Sequence, residues 1–249
     1  VHDLCTPMVR IQTDRFFISS TFTSEPLAPY LQCLGEAFQR KVTIDFAPYH
    51  QVHQLLLDTH SGLYGFEAHK VLFIRWQDWA ENTCDSFDQF FENGQLFLRY
   101  LENYLDIIAD NTTLTIVECC SSFESSLNEK AKKYRKVLSQ SLQDLAALSK
   151  GLSLLIMEDA CELYHLNEYA APNLESLASI PYTESAYAAL AVQFWRHHYC
   201  AIVPPRKVIV LDCDHTLWRG VCGEVGALGV EIDHHYRDLQ AFMLKQKQR

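Results

Sequence analysis

The sequence lacks the features that mark several classes of protein. No run approaches the ~18–20 uninterrupted apolar residues of a membrane span, and residues 1–10 contain no basic segment followed by an apolar one, so no signal peptide is predicted. Basic residues are too few, 21 against 31 acidic ones and a net charge of −10, for sequence-independent binding to a phosphate backbone. These absences predict a cytoplasmic protein that binds neither membranes nor nucleic acid.

The cysteines also lack a recognisable pattern. There are nine of them, an odd number, and they form neither a CxxC pair nor a cysteine and histidine spacing typical of zinc sites. We therefore expect reduced thiols, most of them small buried residues of the core. No internal repeat is found either.

What is present is the composition of an ordinary globular protein, with 48% hydrophobic and 21% charged residues in a chain of 249. That length fits one large domain, or one domain plus part of another. Apolar runs rich in Val, Ile and Phe alternate with longer segments of helical period, which predicts an α/β fold with a mostly parallel sheet. The predicted strands are 15–20, 41–46, 70–76, 114–119, 152–157 and 207–211.

Three helices and one domain boundary are predicted from local signals. Helices are expected at 87–110 and 124–150, the second ending at Gly151, and after Pro181 with Thr183 as the N-terminal cap. Residues 161–181 are polar, and we expect them to be irregular. Because two consecutive prolines, at 204 and 205, cannot continue a helix, a boundary is expected near 202–206.

The stretch that carries chemistry is VIVLDCDHTLWRGVCGEVG, at 208–226. Its apolar beginning, 208–211, predicts a buried strand that delivers Asp212 to the carboxyl edge of a sheet, where open α/β sheets bind ligands. Asp214 and Thr216 follow at intervals of two residues. Two such close carboxylates repel each other unless a cation separates them, and Mg²⁺ prefers oxygen ligands. One carboxylate could then attack phosphorus while the other handles a proton; alternatively, the acids only cap a turn.

This DxDxT sequence after an apolar run resembles motif I of the haloacid dehalogenase (HAD) superfamily of phosphotransferases. The resemblance implies that Asp212 is a nucleophile that becomes an aspartyl phosphate. Asp214 would be the general acid/base, and Thr216 would orient both. Mg²⁺ would be bound by Asp212 and by Asp214, the latter through its backbone carbonyl.

The longer string DCDHTLWRGVCGEVG resembles the FkbH-like branch of the superfamily, whose pattern is DxDNTLWxGxxGEDG. Further segments resemble the N-terminal domain of the same family, a flavodoxin-like or SGNH-hydrolase-like unit: ISSTFTSEPLAPYL (18–31), FAPYHQVHQLLLD (46–58), VLFIRWQDW (71–79) and IPYTESAYAALA (180–191). The resemblance implies that 1–203 form this domain and that 204–249 begin a HAD-like catalytic domain. Family members in polyketide and mixed peptide–polyketide assembly lines take 1,3-bisphosphoglycerate, remove phosphate and load a D-glyceryl group onto the phosphopantetheine thiol of an acyl carrier protein.

That reaction passes through thioesters, so a cysteine of the enzyme could carry the acyl group. An acyl phosphate is already activated, and a thiolate can displace its phosphate without ATP. Cys213 lies between the two aspartates and Cys222 lies in the following loop. On an extended strand end, however, the Cys213 side chain would point away from its neighbours, as that of a small core residue would. Cys119 and Cys120, at the end of the fourth strand, are further candidates.

Departures from the family pattern affect the expected site. His215 stands where Asn is usual and could add a proton-sensitive donor beside the phosphate, and Arg219 stands where Gly is common and could bind a second phosphoryl group. Alternatively, both are tolerated changes. Val225 replaces the Asp of GEDG. The Ser/Thr, Lys and distal acidic motifs of HAD phosphatases are not found, so we expect weak or no Mg²⁺-dependent turnover from residues 1–249 alone.

Two other functions remain open. One is that of an ordinary HAD phosphatase acting on a soluble phosphomonoester. The other is that of a non-catalytic module in which 1–203 recognise an acyl carrier protein. Carrier proteins are usually acidic, so the second function requires a local basic patch, and KAKKYRK at 130–136 is the candidate.

An independent hydrolase in the N-terminal domain is not favoured. Ser19, Ser20 and Thr21 end the first strand, where an SGNH hydrolase carries its Gly-Asp-Ser nucleophile, but the Gly-Asp and the Asp-x-x-His are missing. Substrate positioning is expected there instead, with Ser20 as the candidate binding residue. His50 and His53 are interpreted as a polar helix face rather than a zinc site.

Overall fold

The computed structural model of the 249-residue chain describes residues 12–65, 67–80, 87–108, 113–120, 129–204 and 208–247. The chain divides into two compact units, Val1–Tyr199 (unit 1) and Cys200–Arg249 (unit 2). Parts of four predictions lie outside the described residues: the end of the helix at 87–110, the start of the helix at 124–150, positions 205 and 206 of the expected boundary, and residue 207 of the sixth strand.

Unit 1 contains a five-stranded sheet in which every neighbouring pair is parallel, in the order β2-β1-β3-β4-β5. Its strands are β1 (Gln12–Ser20), β2 (Arg40–Phe46), β3 (His69–Ile74), β4 (Leu114–Glu118) and β5 (Leu152–Ile156). This confirms the predicted α/β fold with a parallel sheet. The first five predicted strands are all present, with ends that differ by three residues at most.

Helices cover both faces of this sheet. Those of unit 1 are α1 (Ala28–Ala37), α2 (Val52–Leu57), α3 (Phe87–Ile107), α4 (Glu129–Leu148), α5 (Met157–Leu163), α6 (Pro172–Ala178) and α7 (Glu184–Ile202), of which residues 200–202 already belong to unit 2. Successive strand residues point to opposite faces. Val71 and Phe73 therefore lie in one core with residues of α1 and α7, and Leu72 and Ile74 lie in another with residues of α2, α3 and α4.

Helix α7 begins and ends where the sequence indicates. The hydroxyl oxygen of Thr183 accepts a hydrogen bond from the Ala186 N–H at 3.4 Å, which confirms the predicted N-terminal cap. The helix ends at Ile202, before Pro204. No described helix has both the length and the apolar character needed to cross a membrane.

The expectation that 161–181 are irregular is wrong in part. Helix α5 continues to Leu163, and α6 forms at Pro172–Ala178. Proline at the first helical position lacks an N–H that would have no partner there anyway, so it starts α6 rather than preventing it. Helix α6 ends at Ser179, which adopts a left-handed φ of +53°.

Unit 2 contains α8 (Cys222–Val225) and α9 (His234–Lys247), and its expected strand is not formed. Residues 208–211 have no strand pairing and are exposed, with Val210 at 86%. The prediction of a buried strand at 207–211 is therefore wrong for the described part of that segment. A parallel strand is stabilised by hydrogen bonds to a neighbour, and the described residues of unit 2 supply none at 208–211.

Candidate functional site

The two aspartates of the DxDxT sequence lie in a loop of unit 2. Asp212 is exposed, and its Oδ1 accepts a hydrogen bond from the N–H of Cys213 at 2.8 Å. Asp214 Oδ1 accepts two, from the N–H of Cys222 and from the indole N–H of Trp218, both at 3.0 Å. Among the described residues, Oδ2 of each carboxylate has no hydrogen-bond partner. Each aspartate thus keeps one oxygen for a ligand.

These hydrogen bonds affect the protonation of Asp214. The Cys222 N–H, followed by the Trp218 indole, holds the pKa of Asp214 below its ordinary value, because both stabilise the charged carboxylate. Asp214 is therefore ionised at neutral pH. In the absence of a ligand it can accept a proton but has none to donate.

A tight turn follows the aspartates and leads towards α8. It contains His215 and Thr216, two of the predicted site residues. The N–H groups of Thr216 and Leu217 donate to the carbonyl oxygen of Cys213, at 3.2 and 2.8 Å. His215 has a φ of +56°, in the left-handed region where Asn and His are both enriched. This backbone preference suits His as it would suit the Asn of the pattern that the sequence resembles, and it favours the interpretation of that change as tolerated.

The guanidinium of Arg219 lies near two carboxylates of unit 2. Its backbone exchanges hydrogen bonds with that of Glu231, and its guanidinium lies 3.5 Å from the Glu231 carboxylate and 3.6 Å from that of Asp233. The side chain is 62% exposed. A phosphoryl group would have to compete with two carboxylates for it, so the role predicted for Arg219 stays a prediction that its contacts do not favour.

Helix α9 is fixed against this turn. Asp233 caps the helix by accepting hydrogen bonds from the N–H groups of His235 and Tyr236, at 3.0 and 3.4 Å. The side-chain amide of Gln240 donates to the carbonyl oxygen of Leu217 at 2.7 Å. The loop that carries the aspartates is thereby braced by the helix that follows it.

The candidate thiols differ in accessibility. Cys213 is exposed rather than in a core, and Cys222 is partly exposed next to Asp214. Cys119 and Cys120 are buried, and burial raises the pKa of both thiols, which makes them poor thiolates. All described cysteines have free thiols: Cys33, Cys119, Cys120, Cys161, Cys200, Cys213 and Cys222.

Ser20 lies in unit 1 and is occupied by its own segment. It is 6% exposed; its hydroxyl donates to the carbonyl oxygen of Phe22 and lies 2.9 Å from that of Ser24. Ser20 thus contributes to the turn after β1, and its predicted role in substrate binding stays untested.

A second cluster, not identified from the sequence, lies where the strand order of unit 1 reverses, between the carboxyl ends of β1 and β3. Open α/β sheets bind ligands at this position. Thr21 Oγ1 donates to Asp78 Oδ2 at 2.7 Å. Arg75 contacts the carboxylates of Asp78 at 2.5 Å and Glu175 at 2.6 Å. Burial raises the pKa of Asp78 although Arg75 opposes the shift. Because these charges are paired with one another, the contacts describe a bridge that fixes α6 to the sheet edge.

The only sequence signal for this cluster was the string RWQDW at 75–79. Trp76 and Trp79 are buried in the core. The charged residues between and before them have partners more than 50 residues away in the chain.

The loop of unit 2 offers a donor set that fits Mg²⁺. Mg²⁺ keeps several waters and usually takes one or two carboxylates from the protein, so Asp212 and Asp214 would suffice, whether Asp214 binds through its carboxylate or, as the resemblance implies, through its backbone carbonyl. Across the described residues, no group of three or more His, Cys, Asp or Glu side chains could hold a metal.

Comparisons with known proteins support the fold. No protein-family model matches the chain, and no curated protein matches it significantly. Among solved structures, the chain is similar to the N-terminal part of the protein BF1531 from Bacteroides fragilis, which contains a phosphatase domain and was crystallised with Mg. The TM-score is 0.73 at 15% sequence identity, over 96% of this chain and 67% of that one. At this identity the similarity establishes a shared α/β fold.

A second solved structure matches the chain less well. It is that of a protein from Streptococcus pneumonia whose name refers to platelet activating factor, with a TM-score of 0.44 and 12% identity, over 78% of this chain and 87% of that one.

Proposed function

We propose that this chain belongs to a Mg²⁺-dependent phosphotransfer enzyme of the HAD type, and more specifically of the FkbH-like branch. Such an enzyme would load a D-glyceryl unit from 1,3-bisphosphoglycerate onto an acyl carrier protein and remove phosphate. The observation that carries the proposal is the pair Asp212 and Asp214, each with one carboxylate oxygen left free in the loop of unit 2. The fold shared with a phosphatase-domain protein crystallised with Mg supports it.

In this proposal the two aspartates have separate chemical roles. An oxygen of Asp212 attacks the phosphorus, the bond from phosphorus to the leaving oxygen breaks, the leaving oxygen takes a proton from the solvent, and an aspartyl phosphate forms. Asp214, already a carboxylate, accepts the proton of the water that then hydrolyses this intermediate and releases phosphate. Bound Mg²⁺ would reduce the repulsion between the carboxylates and the phosphoryl oxygens.

The acyl transfer would use a thiol. In this proposal a thiolate attacks the carbonyl carbon of the acyl phosphate, the bond to the phosphate oxygen breaks, and a thioester forms with release of inorganic phosphate. Cys213 is the better placed of the candidates in the chain, because it is exposed and adjacent to both aspartates. The buried Cys119 and Cys120 are less suitable.

The test is to incubate the complete protein with 1,3-bisphosphoglycerate, Mg²⁺ and a phosphopantetheine-bearing acyl carrier protein. We expect intact mass spectrometry to show a glyceryl thioester on the carrier. Asp212→Asn should reduce release of the phosphomonoester phosphate by orders of magnitude, so that any thioester formed would keep this phosphate. Asp238→Asn, which changes an exposed acid of α9 in the same unit, should leave phosphate release unchanged. If neither the unsubstituted protein nor Asp238→Asn formed a thioester on the carrier, the glyceryl transfer would be contradicted.

The alternative of an ordinary phosphatase is favoured by the phosphatase domain of the structural neighbour. It predicts turnover of a soluble phosphomonoester with no carrier protein present.

The alternative of a carrier-docking module is less well supported. Within the basic segment 130–136, Lys130 lies 2.7 Å from Asp88, Lys132 lies 3.1 Å from Glu129, and Arg135 pairs with Glu158. Much of the positive charge that would attract an acidic partner is therefore balanced within unit 1.

A further inference from the structure

Two histidines contact each other at the amino ends of the strands of unit 1, on the edge opposite to the Arg75 bridge. His69 is the first residue of β3, and His198 belongs to α7. Their ring centroids are 5.2 Å apart, edge to face. Nε2 of His69 is hydrogen-bonded to the hydroxyl of Thr115 at 2.8 Å, and Nε2 of His198 lies 3.2 Å from Asp14 Oδ1. We call His69 and His198 the histidine pair.

The surroundings of His198 are aromatic. It is 5% exposed, and its ring lies 4.8 Å from that of Phe16, 6.2 Å from that of Phe194 and 5.9 Å from that of Trp195. Within the described part of the chain neither of its ring nitrogens makes a hydrogen bond of good geometry. The imidazole is therefore held mainly by packing, which favours the neutral ring, and its polar contact is the 3.2 Å approach of Nε2 to Asp14.

The charges that face the pair leave little compensation for a proton. Among the residues that the structure describes, the anion that contacts the pair is Asp14 from β1, and the guanidinium of Arg40, from β2, already binds both of its oxygens. Lys70 on β3 and His197 on α7 also act on His69, and both make its protonation harder. A proton on either member of the pair would therefore add a positive charge to a site whose one carboxylate is already paired.

We propose that the histidine pair is an acid-sensitive contact that holds the C-terminal turns of α7 to the sheet. When both rings are neutral they pack between strand and helix; when either is protonated the contact is lost. Since α7 ends at Ile202, next to the division between the two units, these turns are the part of unit 1 from which the chain leaves.

The direction of the pH effect follows from burial. Burial lowers the pKa of His69 to about 3. It also lowers that of His198, against the opposing effect of Asp14. The open state binds protons near the ordinary value of 6.5. The contact is therefore intact above that pH and weakens as the pH falls below it, by up to about tenfold in the opening equilibrium per pH unit for each histidine.

Hydrogen exchange of the chain, measured by mass spectrometry and corrected for the intrinsic pH dependence of exchange, tests the proposal. Between about pH 7 and pH 5, we expect the opening equilibrium of peptides covering 194–202 to increase steeply. His198→Phe keeps an aromatic ring in an aromatic site and should reduce that slope to the contribution of His69. His60→Gln, at an exposed site, should retain the full slope. An unchanged slope in His198→Phe would overturn the proposal.

A measurement on the unsubstituted chain decides the matter if His198→Phe does not fold. Titration of the imidazole resonances by nuclear magnetic resonance should show neither ring of the pair protonated at about pH 6, where an ordinary histidine is mostly charged. Ordinary titration of both rings without increased exchange at 194–202 would overturn the proposal.

Discussion

Unit 1 buries both faces of its sheet, whereas none of the described residues of unit 2 is buried. The difference does not come from local composition, because the 208–211 segment is as apolar as the strands of unit 1. It comes from neighbours: β3 lies between β1 and β4 and is covered by helices on both faces, while 208–211 has no described strand beside it. An apolar run therefore indicates only that a segment can form a strand, and the strand forms when a neighbouring strand is there to pair with it.

The charged clusters of the two units offer the sharpest test of this difference. Arg75→Met would leave the buried carboxylate of Asp78 and the partly buried one of Glu175 without their cation, and we expect a loss of about 3–5 kcal/mol in the free energy of unfolding. Arg219→Met removes an exposed pairing of the same kind, at 62% exposure, and should cost at most ~1 kcal/mol. Urea unfolding followed by circular dichroism measures both. Similar losses for the two variants would remove the distinction between the units.

A matched pair of leucines tests apolar burial in the same way. Leu101, on α3, is fully buried, and Leu101→Ala should cost about 2–5 kcal/mol because it removes apolar contacts and leaves a cavity. Leu228, in unit 2, is fully exposed, and Leu228→Ala should change the free energy of unfolding by less than about 0.5 kcal/mol. A large loss for Leu228→Ala would show that unit 2 buries this side chain in solution.

Features formed by neighbouring residues could be predicted from the sequence, whereas contacts between residues far apart in the chain could not. The strands of unit 1 could be found because each is a short apolar run between helical segments, and the cap of α7 because Thr183 stands next to its helix. The loop at 212–216 could be found because its residues are adjacent. The histidine pair could not, since 128 residues lie between His69 and His198, and the two rings meet because α7 packs against β1 and β3.

The smallest expected effect concerns Asp214, whose environment is built from one turn of unit 2 and not from a core. Trp218→Phe removes the indole N–H that donates to Asp214 but keeps the hydrogen bond from Cys222, so the pKa of Asp214 should rise part of the way toward its ordinary value. Carboxyl resonances in ¹³C nuclear magnetic resonance measure this. Tyr236→Phe, on α9 of the same unit, should leave the titration unchanged. If Trp218→Phe also left the pKa of Asp214 unchanged, the indole N–H would not donate to Asp214 in solution, and the turn that positions the two aspartates would have a different conformation there.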